Sequence, residues 1–546
     1  MGSKKKQKKQ KKSKKDKIKF KQQDKGSRKL GQTGRQIDRS HDRLFLGTDY
    51  REVFIDDRSW GEILVDVQNW TRLPFSHGME MELIIADDNG NYPDGDEMVY
   101  RMREIVKDAI RIMDQILYEG RSDFYPVPDY IRQKVLARPW GKEDIEKGYV
   151  MDIRYQIGNY SVDIDTFGRD GNVTAITYIL ELVSPPCEFL EELAYWSSTL
   201  FLLAKNTLPK DLHIIASAVN PSAKEYQRGL TQGDHHHLGG FESELEKIQA
   251  YCMIRNFIPH LIALSTNSPI INNKPTDVVK IINNRITAPN CVRSLRLKNN
   301  ASMLSNNDPR HYIPYLTSTD VNAQNLFLQT VDKASMEDGR FQDLFPFTDW
   351  GTIELRVCDA QISICRRIGI GLIIQALCYK ARKLVKQKKW VPDAGSETIT
   401  LNRKGAIERG LISLFKPASN LTHDFLKQYD HSFAEQYLGP KNEPIRYMMQ
   451  AVQRMFFYIR DELKELGFLY SPFLKPLLQS VFGNISYAEP PMTEAEYQLS
   501  LYNHKLEIGE NPNILWDLIY FTVMYCQDPL NHPLTGVLTL PKEMRN

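Results

Sequence analysis

The chain has 546 residues, enough for two to four domains and a large buried core. Its 42% hydrophobic, 25% charged and 10% aromatic residues are an ordinary globular mixture, which excludes a fibrous or wholly disordered protein. The formal net charge of +3 hides a split, because residues 1–43 hold 18 Lys and Arg against 4 Asp, a net +14, while the remainder carries −11.

Residues 1–43 are nearly free of apolar side chains and repel one another, so they are expected to be a disordered basic arm. The arm lacks the apolar run of a secretory signal. Its charge suits nonspecific contact with RNA, DNA or an acidic membrane surface, and its plainer role is a solubilising spacer. No sequence-reading motif follows it.

The body, 44–395, opens with a mixed lead-in over 44–72. A strand is predicted at Gly78–Ala86 (GMEMELIIA), then a turn-rich segment, then a helix over about 96–119. Residues 151–186 read as a hairpin: one strand over about 157–167, a turn at 169–172, and a second strand over 173–184 that stops at Pro185-Pro186. An amphipathic helix follows at 188–206 and a strand at 212–219. Helices are expected at 242–264 and 322–337, a strand at Thr352–Cys358, and a long apolar helix over 360–388. Residues 396–546 read as a helical C-terminal region. Strands and helices mix without regular alternation, so the predicted class is α+β.

The seven cysteines are odd in number, scattered and never in CxxC spacing. That pattern fits reduced thiols and a cytoplasmic protein, and argues against disulfides or a zinc site. The longest apolar run, 368–379, is too short to span a membrane.

The chemistry is signalled by acids inside apolar strands. Glu80 and Glu82 are two residues apart, so on a strand they share a face; Asp163 and Asp165 repeat the spacing, and Glu354 pairs in the same way with Arg356. Glu181 sits among apolar neighbours. For any one strand the plain reading is a solvated face. Several such strands in one chain favour a shared acidic pit, which suits Mg²⁺ or Mn²⁺ beside phosphates, with Arg356 as a fixed cation for phosphate oxygens. His235 and His237 can share one side of an extended segment, although three adjacent histidines are weak evidence of a metal site.

In order along the chain, GMEME, ILELVSPPCE, DHHHLGG, LIALSTNSPIINNKPTD followed by Arg285, and GTIELRVCDAQ resemble the carboxylate-amine ligase family, also called type 2 glutamate–cysteine ligases. The resemblance spans about 76–385. It implies a glutamine-synthetase-like catalytic domain, with an antiparallel, curved sheet and flanking helices, and a homo-oligomer as a modest expectation. It implies an ATP-dependent ligase that makes an amide bond through an acyl phosphate, with glutamate and cysteine as the family's substrates. By that match Glu80, Glu82, Glu181, His235 or His237, and Glu354 are metal ligands for Mg²⁺ (or Mn²⁺), and Arg356, Arg285 and Asn267 contact ATP and the acyl phosphate. The family carries a further acid where this chain has Met81, and another near Thr177 and Thr174, departures that bear on one metal site. The competing reading is a non-catalytic binding protein of the same fold, tethered to RNA or another polyanion by the basic arm.

Overall fold

The computed structural model describes residues 58–92, 115, 119–120, 125–136, 151–155, 158–169, 172–226, 231–277, 281–282, 285–286, 290–299, 321–336, 342–418, 431–439, 444–482 and 492–526. The arm 1–43 and nearly all of the helix expected over 96–119 lie outside them.

The strands are β1 Arg72–Asp87, β2 Met151–Tyr155, β3 Gly158–Arg169, β4 Asn172–Val183, β5 Cys187–Phe189, β6 Leu212–Ile215, β7 Gly233–Gly239, the short pairs β8 Ile270–Ile271 with β9 Lys274–Pro275 and β10 Ile281–Ile282 with β11 Arg285–Ile286, then β12 Leu344–Pro346 and β13 Ile353–Asp359. The helices are α1 Trp60–Val65, α2 Asp129–Leu136, α3 Leu190–Thr207, α4 Glu244–Ser265, α5 Leu295–Asn299, α6 Val321–Met336, α7 Ile364–Lys386, α8 Ser396–Arg409, α9 His431–Leu438, α10 Met448–Tyr458, α11 Arg460–Glu465, α12 Lys475–Phe482, α13 Glu494–Glu507 and α14 Leu515–Cys526. The class is α+β, as the sequence predicts.

The main sheet is antiparallel and runs β12-β13-β7-β1-β4-β3-β2, with β5 and β6 pairing β1 off that path. Its organiser is β1, longer than predicted because alternation begins at Leu73. From Leu73 to Leu83 the odd positions are buried and the even ones less so, which gives the strand a core face and an open face. From Leu83 to Ala86 both faces are covered, and Ile84 and Ala86 join a second apolar cluster with Ile215 of β6, Leu515 and Leu518.

The core face packs on α3, α4 and α7. Every residue of α4 from Glu246 to Ser265 is buried, as expected of a central helix. Ser243 caps it by accepting from the Glu246 N–H at 3.2 Å. Ser363 does the same for α7 by accepting from the Arg366 N–H at 3.1 Å. The C-terminal helices α8–α12 lie against α4 and α7, and their apolar side chains continue the same core. All seven cysteines are buried thiols. Among the described residues no helix is long and apolar enough to cross a membrane.

Candidate active site

The open face of β1 carries Glu80 and Glu82, and the register brings the other chemistry to them. Glu82 stands directly opposite Glu181 of β4, and Glu80 opposite His235 of β7. His237 in turn stands opposite Glu354 of β13. Directly opposed residues of an antiparallel pair share a face. Four neighbouring strands, β4-β1-β7-β13, thus place four carboxylates and two imidazoles on one surface, here called the pit. Residues more than 270 positions apart meet there because β7 and β13 fill the sheet beside β1.

The distances are short. His235 Nδ1 is 2.8 Å from Glu80 Oε2 and 3.8 Å from Glu354 Oε1, while its Nε2 is 3.7 Å from Glu82 Oε1. His237 Nε2 is 3.1 Å from Glu80 Oε1 and 3.7 Å from Glu354 Oε1. Arg356 Nη1 donates to Glu354 Oε1. The Gly233 backbone N–H donates to Glu82 Oε2 at 2.5 Å. His236 points to the core face, where its Nδ1 lies 3.0 Å from His77 Nε2.

The charges are strongly coupled. Burial pushes the Glu80 carboxyl up, but the hydrogen bonds and charges of His235 and His237 outweigh it and hold the group well below the usual carboxylate range. Burial works against a proton on His237, yet Glu80 and Glu354 raise it above the ordinary imidazole value. Burial likewise opposes the charge on Arg356, and Glu354, Glu80 and Glu82 overcome it and raise the guanidinium.

The donor atoms of Glu80, His237 and Glu354 all lie within 4.8 Å of one another, a spacing that fits one divalent cation. His237 Nε2, buried and 3.1 Å from Glu80 Oε1, would offer a lone pair to a cation on giving up its proton, as a metal-bound imidazole must.

Not every expected residue joins this cluster. Asn267 is fully buried, and its side-chain N–H groups donate to the carbonyls of Ala216 and Ala360 at 3.2 and 2.6 Å, while its carbonyl oxygen accepts from Gln498 at 2.6 Å. Its amide is committed within the protein and does not face the pit. Arg285 lies in the β10–β11 hairpin, with its side chain outside the described residues. Asp163 and Asp165 stand on β3 opposite Ile179 and Thr177, again with side chains outside the described residues. Conversely, Gly233, Arg296 and Arg403 carry no local sequence signal, and the fold brings Gly233 to Glu82 and the two arginines to the Arg356 backbone and to Asp343 beside it. Only neighbouring chain segments give them meaning.

No family model matches the chain. Curated proteins are similar to it. A Nitrosospira multiformis protein named "Putative glutamate--cysteine ligase 2" is 25% identical over 236 residues, 43% of this chain and 52% of that protein. One of the same name from Roseiflexus castenholzii is 29% identical over 153 residues, 28% of this chain and 35% of that protein. The chain therefore spans from about a third to about half the length of these relatives. Among solved structures, the glutamate–cysteine ligase of Francisella tularensis in complex with AMP aligns over 87% of this chain and 92% of its own, at 11% identity and a TM-score of 0.46. A bifunctional glutathione synthetase from Pasteurella multocida aligns over 86% and 55%, at 11% identity and a TM-score of 0.44. In sequence, this chain resembles the glutamate–cysteine ligase 2 proteins, the family to which its strand motifs point.

Proposed function

We propose that the protein is an ATP-dependent ligase that joins a carboxylate to an amine through an acyl phosphate. The observation that carries this reading is the pit, where Glu80, His237 and Glu354 form a cation-sized donor set beside Arg356. A divalent cation, Mg²⁺ or Mn²⁺, would be held by those three residues, with Glu82, Glu181 and His235 beside them, and would neutralise charge on the nucleotide phosphates. Two carboxylates directly opposed, Glu82 and Glu181, are destabilising as a bare pair, which favours a site built for positive charge.

The chain's own groups then do the following. Arg356, held against Glu354 and permanently charged, binds the phosphate oxygens and stabilises the charge that develops as the γ-phosphoryl group transfers. The substrate carboxylate oxygen bonds to the γ-phosphorus as the bond to ADP breaks. The amine nitrogen then bonds to the acyl carbon, phosphate leaves, and the amine gives up a proton. The nearly buried His235 bridges Glu80 and Glu82 and keeps both carboxylates in place. Asn267 acts as a support for the site, and Arg285 as a further contact to the acyl phosphate.

The test is ADP release from ATP and Mg²⁺ with panels of acids and amines, with glutamate and cysteine first. Glu354→Gln and Arg356→Ala are each expected to lower the rate about 100-fold or more while the circular dichroism of the fold is kept. Full turnover in either variant would contradict the proposal.

A further inference from the structure

The peptide that carries Arg356 is held in an unusual way. Leu355 pairs with His236, but the next rung joins Cys358 to Asp234, so three residues of β13 span two of β7. That extra residue is a β-bulge at Arg356-Val357, and a bulge re-aims the side chains it contains. It also takes backbone groups out of the ladder with β7, and they need other partners.

Arg296 of α5 supplies them. Its Nη2 donates to the Arg356 carbonyl at 3.0 Å and its Nη1 to the Cys358 carbonyl at 3.1 Å. Its charge is answered by Asp359 Oδ1 at 4.0 Å, and Asp359 is itself fixed by the Asn267 N–H and the hydroxyls of Ser268 and Ser294. The guanidinium occupies space that only a glycine leaves, since a Cβ at Gly233 would overlap it.

The N–H side of Arg356, on the preceding peptide group, is held from the C-terminal region. The Arg356 N–H donates to the Asp343 carbonyl at 3.0 Å. Arg403 of α8 grips the Asp343 carboxylate with a fork, Nε to Oδ2 at 2.5 Å and Nη2 to Oδ1 at 2.6 Å. Such bidentate pairs fix orientation as well as charge.

We propose that Arg296 and Arg403 are positioning residues that clamp the bulged Arg356 backbone from its two sides and so aim its guanidinium into the pit. The inference rests on the ligase reading, which gives Arg356 its phosphate. Neither arginine needs to touch substrate. A long, flexible side chain becomes a fixed charge only if its backbone is fixed, and here the regular ladder with β7 that would help to fix it is interrupted. Arginine is needed at 296 because one group must reach two carbonyls at once, and at 403 because both carboxylate oxygens are engaged.

The test is a double-mutant cycle read by calorimetric binding of a non-hydrolysable ATP analogue with Mg²⁺, using Arg403→Ala, Arg356→Ala and the double variant. Arg403→Ala is expected to weaken analogue binding about tenfold in the wild-type background and to change nothing further in the Arg356→Ala background. Arg403→Lys, which keeps the charge but loses the fork, is expected to lie near Arg403→Ala. If Arg403→Ala does not fold, Asp343→Asn replaces it in the same cycle. An equal loss in both backgrounds, or no loss in either, would overturn the clamp while leaving the ligase reading standing. A wild-type protein that binds no analogue would overturn both.

Discussion

His235 and His237 flank His236 in the sequence, yet only the outer two reach the pit, because side chains alternate along β7. The same alternation settles the departure at Met81. That side chain is buried on the core face with its sulfur 3.4 Å from Arg367 Nη1, so an acid there would face Arg367 and not the pit. Methionine at this position therefore takes nothing from the carboxylate cluster. Away from the site, Glu191 of α3 is a buried acid that accepts from the Thr71 N–H at 2.7 Å. Burial pushes its carboxyl up to about 7 from 4.5, so the folded chain holds a proton that the unfolded chain has lost. Stability at this group is then greatest below about pH 4.5 and falls as pH rises to about 7. Glu191→Gln is expected to raise the thermal unfolding midpoint at pH 8 clearly more than at pH 5, with an upper bound on the order of 3 kcal/mol. An equal change at both pH values would count against a buried, protonated Glu191.

At the scale of elements, the pit is a product of register. Glu80 and Glu82 could be placed on one face from the sequence because a period of two is visible within five residues. Strand β7 was harder to identify as a strand, since DHHHLG has little apolar alternation, and its strand state comes from β1 and β13 on either side. The bulge in β13 was invisible in the sequence, because it exists only in the pairing with β7. Arg296 was unremarkable for the same reason: its two acceptors are carbonyls 60 and 62 residues away. Close approach is also a property of pairs of elements. A Cβ at Gly369 of α7 would run into the Phe473 carbonyl oxygen, a backbone atom with little room to move. Gly369→Ala is therefore expected to destabilise the fold by about 1–3 kcal/mol despite the better helix propensity of alanine, as read by urea unfolding. A more stable variant would show that the α7 contact with the chain at 473 is looser than described.

At the scale of the whole molecule, the helical segment beyond 396, which lies outside the family resemblance, is tied to α7 and to the chain just before α5 by buried ion pairs. Arg366 Nε is 2.9 Å from Glu494 Oε1, with both side chains fully buried, and Arg293 Nε is 3.1 Å from Glu496 Oε1. Glu494 also accepts the Ile362 N–H just before α7. Neither pair is legible in the sequence, since partners 128 and 203 positions apart leave no local pattern. Removing one member of such a pair strands the other charge. Glu494→Leu is thus expected to cost about 3–5 kcal/mol in urea unfolding, and the double change with Arg366→Met to recover much of that loss. Additive losses would mean that the pair is not coupled. The central claim is that distant strands converge on a site for a divalent cation, and its most direct measurement is anomalous diffraction from crystals grown with Mn²⁺ and a non-hydrolysable ATP analogue. The account predicts an anomalous peak within coordination distance of Glu80, His237 and Glu354, with analogue phosphate density beside Arg356. Ordered analogue with no peak among those three residues would contradict it.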